Sequence, residues 1–554
     1  MRQMVWLAIL VTGTLGTQRA SAQSPATFAG KPAFTQITTE SGIARLIEDK
    51  YQKDPNWWLS GLYLIDLDGD GNLDFVTGAH GGGGPIAALG DGAGHFRLAP
   101  EFTGTEVHIA CDINEDGKLD LQMTHGDGGG KWWINESTPG RVRFRDSGIT
   151  ASQARQNAMI DIDRDGKVDW LHERPGVVWE LGDGKGGFKP SGGIPTGAKR
   201  NETNIHYADL RGNGRIDLIV HWGRYDHPAG QSRVFFNDGK LGFSDVTKQI
   251  GLSPQDGFAI KGVGDVNHDG FPDLMALENK WPEVYLNDGK SNFKKRQGAL
   301  IGMQEARKPP YVSWGLATVV DLDNDGIADI LWNGRNFLWV LRGNGDGTFT
   351  YMNKAWGIDD YSKATVDEGL CFGDIDGDGA LDLIGFAADR EPARVKVYRN
   401  DLPKQNWLNI RPVGAPGNRA AAGATIRITD PSAGARLLWC EQVQIVASQS
   451  AHSYYAHVQT ERHFGLGARA VLDASVEFYP SRKTITMKRC RANRTVVFDE
   501  GTGRTAEISA ALGENGVDAD RRLLAGRVIR GERDFHRLAA GLHIPPATSQ
   551  PQRD

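Results

Sequence analysis

One motif recurs through most of this sequence and decides what it can fold into. "DLDGDGNLDFV" occupies residues 66–76, and its pattern returns as "DINEDGKLD" from 112, "DIDRDGKVD" from 161, "DLRGNGRID" from 209, "DVNHDGFPD" from 265, "DLDNDGIAD" from 321 and "DIDGDGALD" from 374. Successive starts lie 46, 49, 48, 56, 56 and 53 residues apart, which is the length of a supersecondary unit. The chain is therefore built by repetition, and each unit needs its neighbours to bury its apolar faces.

The loop chemistry is that of a hard cation, which takes about six to eight oxygen ligands around a tight turn. Carboxylates or amides stand at loop positions 1, 3 and 5, a backbone carbonyl is available at 7, and an aspartate closes the shell at 9. The candidate calcium ligands are Asp66, Asp68, Asp70, Asn72 and Asp74; Asp112, Asn114, Asp116, Lys118 and Asp120; Asp161, Asp163, Asp165, Lys167 and Asp169; Asp265, Asn267, Asp269, Phe271 and Asp273; Asp321, Asp323, Asp325, Ile327 and Asp329; and Asp374, Asp376, Asp378, Ala380 and Asp382. Position 6 is glycine in every copy, from Gly71 to Gly379, as a left-handed turn favours. The fourth copy differs: Arg211 and Asn213 occupy positions 3 and 5. That loop is expected to hold no ion, with Arg211 supplying the positive charge, so about six calcium ions are expected per chain.

The flanks are short, apolar and β-rich ("LDFVTG", "VDWLHE", "IDLIVHW"), so each loop joins two strands, unlike an EF-hand with its flanking helices. A phenylalanine follows a turn in each unit: Phe96, Phe144, Phe188, Phe243, Phe293 and Phe349. Phe34 precedes the first loop, and the seventh unit has no such residue after it. Each unit thus reads as about four strands, and the Phe34 strand is expected to complete the last one and remove an open sheet edge. The fold class is all-β: a seven-bladed β-propeller over residues 23–400, a small β-rich domain over 401–500, and a tail over 501–554 that is helical and then disordered.

These loops, with their intervening "NDGKLGF" and "NDGKSNF" turns, resemble the FG-GAP/VCBS repeats of integrin α-chain propellers and of many secreted bacterial proteins. Beyond residue 405 the loops stop. "NRAAAGA" (418–424), "HFGLG" (463–467) and "VEFYPS" (476–481) resemble the ASPIC/UnbV domain that follows such propellers. The resemblance implies an integrin-like architecture, adhesion or recognition of a glycan or protein, and no defined catalytic activity.

The N-terminus, "MRQMVWLAILVTGTLGTQRASAQ", has a basic start, an apolar core and an Ala-Ser-Ala site, so residues 1–22 read as a signal peptide. The protein is expected to be exported to the periplasm or outside the cell, with no membrane span elsewhere. Formal net charge is −6; loss of Arg2 and Arg19 makes it −8, and six calcium ions would make it +4. The acidity serves the loops, and nothing points to nucleic acid. Cys440 and Cys490 lie on predicted strands of one domain and could pair in an oxidising compartment, whereas Cys111 and Cys371 read as buried small residues.

An alternative function rests on histidine. His80, His125, His172 and His221 fall on or just after the second strands of the first four units and could converge at the mouth opposite the calcium loops. There they would serve as transition-metal ligands or general bases of an exported enzyme, with Arg155, Arg174, Glu173, Lys261 and Glu278 adding charge. The tryptophans of the blades read mainly as packing residues; several on one face would instead favour glycan binding.

Overall fold

The computed structural model describes residues 33–509, apart from 56, 58, 80–83, 100, 101, 103–105, 125–129, 152–155, 175, 196–202, 223–230, 254–256, 307–315, 335, 336, 359–367, 388–394, 451, 452 and 458–460. The expected leader and the expected helical tail lie outside the described residues.

Every repeat is an antiparallel four-stranded meander. The first runs Leu59–Ile65, Asp74–Ala79, Ile86–Gly90 and Phe96–Leu98, and the second Glu106–Cys111, Asp120–Thr124, Gly130–Asn135 and Phe144–Ala151. The third runs Gln156–Ile160, Asp169–Arg174, Gly176–Gly182 and Phe188–Ile194, and the fourth Thr203–Ala208, Asp217–Trp222, Gln231–Asn237 and Phe243–Asp245. The fifth runs Phe258–Gly264, Asp273–Glu278, Trp281–Asn287 and Phe293–Lys295, and the sixth Leu316–Val320, Asp329–Gly334, Phe337–Gly343 and Phe349–Tyr351. The seventh has Glu368–Gly373, Asp382–Ala387 and Val395–Asn400, and its fourth strand is Phe34–Gln36, from the other end of the chain.

The closing strand keeps the register of the others. Phe34 lies opposite Asn400, as Phe96 lies opposite Gly90, Phe144 opposite Asn135 and Phe293 opposite Asn287. The first strand of the first unit also packs against the first strand of the seventh. A helix that the repeat pattern does not announce, Ile43–Lys53, follows the closing strand; it buries Ile43 and Ile47 and exposes Arg45, Glu48 and Asp49.

The strand faces alternate, and the apolar faces of successive units pack on each other. Ala208, Ile219 and Val234 of the fourth unit, for example, share a core with Phe258, Ile260 and Leu274 of the fifth. Tryptophan fills these layers: Trp57, Trp132, Trp170, Trp332 and Trp339 are fully buried and Trp179 nearly so. Trp58 and Trp314 lie outside the described residues.

Residues beyond 405 form two four-stranded sheets. One has the order Arg462–Gly467, Asn406–Val413, Arg494–Asp499, Arg504–Ser509; the other has Arg436–Gln442, Thr425–Asp430, Val471–Glu477, Thr484–Arg491. Their facing sides bury Leu408, Ile426, Phe464, Val476 and Phe498 in one core. Two expectations change here. Arg504–Ser509 is a strand, so this domain extends past residue 500 into the segment read as tail. Cys440 and Cys490 are free thiols on the two outer strands of one sheet, with two strands between them. At ~4.8 Å per strand they stand well beyond the ~7 Å that a disulfide can span.

A hairpin leaves this domain and enters the repeats. Its strand Ile445–Ser450 pairs with the first strand of the third unit, Ala447 opposite Asn157. Its strand Ser453–His457 runs parallel to the first strand of the seventh, Tyr454 beside Gly369. The result is one ten-stranded sheet that joins two units across the hairpin. First strands of the first, second and fourth units also lie against it. Tyr207 fixes the junction: its hydroxyl accepts from Ile445 N at 2.8 Å and donates to Met159 O at 3.0 Å.

Candidate metal sites

Each loop is a set of backbone turns capped by carboxylates. In the first, Asp66 accepts from Gly69 N and Gly71 N at 2.8 and 3.1 Å, and Asp70 accepts from Asn72 N at 2.8 Å. Gly71 has φ 94°, which is why glycine stands at this position. The same bonds recur at Asp161 with Gly166 N, Asp321 with Gly326 N and Asp374 with Gly379 N. Residues at position 7, expected to offer carbonyls, direct their N–H groups back to position 5: Lys118 to Asp116, Lys167 to Asp165, Phe271 to Asp269, Ile327 to Asp325 and Ala380 to Asp378.

The last aspartate of each loop has a second role that the motif does not reveal. Asp74 accepts from Leu67 N at 2.7 Å through one oxygen and from Gly90 N at 2.9 Å through the other. Asp120, Asp169, Asp273, Asp329 and Asp382 repeat this clamp, tying the loop to the end of the third strand. These carboxylates are buried and hold the blade together whether or not they also meet an ion.

Carboxylate oxygens converge within 4.8 Å of one another in four loops: Asp66, Asp68 and Asp70; Asp161, Asp163 and Asp169; Asp321, Asp323 and Asp325; Asp374, Asp376 and Asp382. The second and fifth loops place Asn114 and Asn267 at position 3, where their amides donate to Asp116 and Asp269. Burial is the main cause that pushes Asp66, Asp112, Asp161 and Asp265 up to about 7, with repulsion from neighbouring carboxylates adding to it. Hard oxygen donors that repel one another in a buried turn suit a calcium ion.

Side-chain cations already face some loops. Arg342 spans Asp323 and Asp325 at 2.5 Å each, Lys404 pairs with Asp378, and Lys167 with Asp165. In the fourth loop Arg211 is central: Nη2 lies 2.7 Å from Asp217 Oδ1 and 2.8 Å from Asn237 O, and Nε lies 3.1 Å from Asp217 Oδ2. The Arg342 contact was missed from sequence; the signal was there, since units 6 and 7 carry Arg342 and Arg399 where others have Leu89, Leu181 or Leu286.

The FG-GAP-like repeat family matches residues 265–332 and 321–385, and the ASPIC and UnbV family matches 414–505. Residues 265–385 thus match FG-GAP-like repeats and residues 414–505 an ASPIC and UnbV domain, within an all-β architecture. It is similar to cartilage acidic protein 1 of Xenopus tropicalis, 22% identical over 85% of this chain and 77% of that one, and to cartilage acidic protein 1 of Homo sapiens, 26% identical over 82% and 71%. Integrin alpha-6 of Gallus gallus matches at 27% identity over 23% of this chain and 13% of its own.

The ASPIC and UnbV domain sits on the loop side of the FG-GAP-like repeats. Gly417 N donates to Glu115, and its carbonyl accepts from Val168 N at 2.8 Å. Asp209 N donates to Gln442 at 2.9 Å, Gln405 donates to Asp323 O at 3.0 Å, and His463 Nε2 lies 2.7 Å from Asn324. A cavity of about 280 Å³ remains between the two parts; Asp66, Asp112 and Asp374 line it from the loops, and Arg411 and Glu461 from the other side.

Two of the four expected histidines fall among the described residues, and these two do not come together. His80 and His125 lie outside the described residues. His172 is buried against Trp170, ring centroids 4.4 Å apart, with Nε2 3.1 Å from Glu180. Trp170 in turn packs on Trp132 of the second unit, which puts His172 between units 2 and 3. His221, whose Nδ1 lies 3.0 Å from Ser232, shares its strand face with Ile219 and turns toward unit 5. His172 stands three residues after its loop's last aspartate and His221 four, and an offset of one residue reverses the face of a strand.

Proposed function

We propose that this protein is an exported recognition or adhesion module whose FG-GAP-like repeats are stiffened by calcium and whose ligand is a glycan or a protein. Similarity to cartilage acidic protein 1 and to integrin alpha chains supports recognition outside the cell. Calcium would sit in the first, third, sixth and seventh loops, where three carboxylates converge, and in the second and fifth with one amide oxygen in place of a carboxylate. A bound ion supplies charge that holds the turn.

The observation that carries this reading is the covering of the loops. Because the ASPIC and UnbV domain hydrogen-bonds to them, the loops serve as joints within the scaffold. Ligand contact then falls to the opposite face and the outer strands. That His172 and His221 lie in different layers favours recognition over the alternative of an exported enzyme centred on the histidines.

The test is binding of the labelled full chain to arrays of glycans and of extracellular proteins, with calcium and after metal stripping. Saturable, calcium-dependent binding to one class supports the proposal. Absence of binding on both arrays, together with a melting temperature indifferent to calcium, would remove it.

A further inference from the structure

Between units 4 and 5 the apolar packing gives way to polar side chains on the side away from the loops. Ile205 and Tyr207 pack toward unit 3 and Ala208 toward unit 5, so alternation also turns Asn204 and His206 toward unit 5. Asn204 lies opposite His221, and His221 opposite Ser232, which places all four on one face. Lys261 comes from the facing unit, at a bulge between Ile260 and Gly262, an irregularity that re-aims a side chain. Lys261 and Ser232 are fully buried, and His221, His206 and Asn204 are 1%, 6% and 6% exposed.

The hydrogen bonds give this group a direction. Ser232 Oγ accepts from Ile260 N at 2.7 Å, and its hydroxyl proton is left for His221 Nδ1 at 3.0 Å. With Nδ1 accepting that proton, His221 would present its own N–H at Nε2. That Nε2 and His206 Nε2 are buried with no hydrogen-bond partner, and an unsatisfied buried donor costs about 1–3 kcal/mol. The ammonium beside them disfavours a metal ion and favours an acceptor of negative charge.

We propose that His206, His221 and Lys261 form a binding site for a carboxylate, with Lys261 supplying the charge and the imidazoles supplying directed N–H groups. The electrostatics agree. Burial pushes Lys261 down to about 7, and burial with the charge of Lys261 takes His206 to about 4. Burial, Lys261 and His206 also hold His221 low, against a smaller opposite pull from the Gln231 backbone. An anion in the site reverses these penalties. None of these residues belongs to a calcium loop, so the inference stands apart from the calcium reading.

The test uses the calcium-loaded full chain at pH 6.5, with ionic strength held constant by chloride. Acetate, D-glucuronate and N-acetyl-aspartyl amide are titrated while the melting temperature and the imidazole NMR signals are followed. A saturable rise in melting temperature with shifted imidazole signals is expected. Lys261→Met removes a buried charge without changing side-chain length much, and should weaken the effect at least about tenfold. Ser232→Ala frees the His221 tautomer and should weaken it by a smaller factor, which gives a second reading if Lys261→Met fails to fold. Tighter binding of glucuronate would identify a sugar acid as the source, and tighter binding of the aspartyl amide a peptide side chain; either supports the site. No saturable effect from any probe, or equal affinity in the variants and the parent, would overturn it.

Discussion

Arg211 grips Asp217 in the fourth loop with two nitrogens, at 2.7 and 3.1 Å. Asp217 is fully buried, and burial pushes its carboxyl up to about 6 against the pull of Arg211. On the calcium reading proposed above, the guanidinium would take the place of an ion. Arg211→Ala should destabilise the protein by about 3 kcal/mol, the low end for breaking a buried pair, because the freed carboxyl can take a proton. Arg211→Asp with Asn213→Asp should restore the loop pattern and add one calcium per chain by elemental analysis. An unchanged calcium count in a folded double variant would contradict this account.

Removal of calcium should lower the melting temperature strongly. A ligand present at a hundred times its Kd contributes about 2.7 kcal/mol per site, and several loops act together. Asp323→Ala should weaken the sixth unit far more than Asp209→Ala weakens the fourth. Calorimetric titration of metal-stripped protein should show at least two classes of site, the amide-bearing second and fifth loops being weaker. Equal losses in the two variants would show that the fourth loop also holds an ion.

The pH dependence has a definite sign. Asp66, Asp112, Asp161 and Asp265 sit at about 7 when folded, against about 3.9 unfolded. The folded metal-free protein therefore binds protons more tightly than the unfolded chain. Stability from these groups is fully present below about pH 4 and is lost as pH rises through 7. On the proposed calcium reading, calcium would replace the protons above that range. The gap in melting temperature between calcium-loaded and metal-stripped protein should be widest near pH 8 and shrink toward pH 5; a gap independent of pH would count against these carboxylates as ligands.

Tyr207→Phe should cost about 1–3 kcal/mol, since it leaves Ile445 N without its buried acceptor. Urea denaturation gives the magnitude. Hydrogen exchange should speed up first at the Ile445–Ser450 amides, while calcium stoichiometry stays the same. Uniform acceleration across all units would place the effect elsewhere.

Four thiols should react with Ellman's reagent after denaturation without reductant, because all four cysteines are free. Two reactive thiols instead of four would indicate a disulfide and a rearranged domain.

The repeat, the turn glycines and the closing role of Phe34 were legible because they follow from local chemistry and a count of strands. The hairpin was not. "VASQSAHSYY" carries no periodic sign of a partner, and Ala447 meets Asn157 nearly three hundred positions away. His172 and His221 misled because their spacing from the loop differs by one residue, which strand alternation turns into opposite faces. Lys261 reads only as one of several charges near the expected histidine face; the bulge between Ile260 and Gly262 that sets its direction has no sign in the sequence.

The pairing of Phe34 with Asn400 also sets a timetable for folding. The fourth strand of the seventh unit is made among the first and its partner only after more than 360 further residues, so the seventh unit stays incomplete through most of synthesis. Closing so long a loop adds little to the equilibrium cost, which grows only as the logarithm of length, but it leaves unpaired strand edges exposed until then. The hairpin that pairs with the third and seventh units arrives later still. Chains truncated before residue 400 should therefore accumulate as aggregates rather than as smaller stable folds, and quality control would act on the last quarter of the sequence.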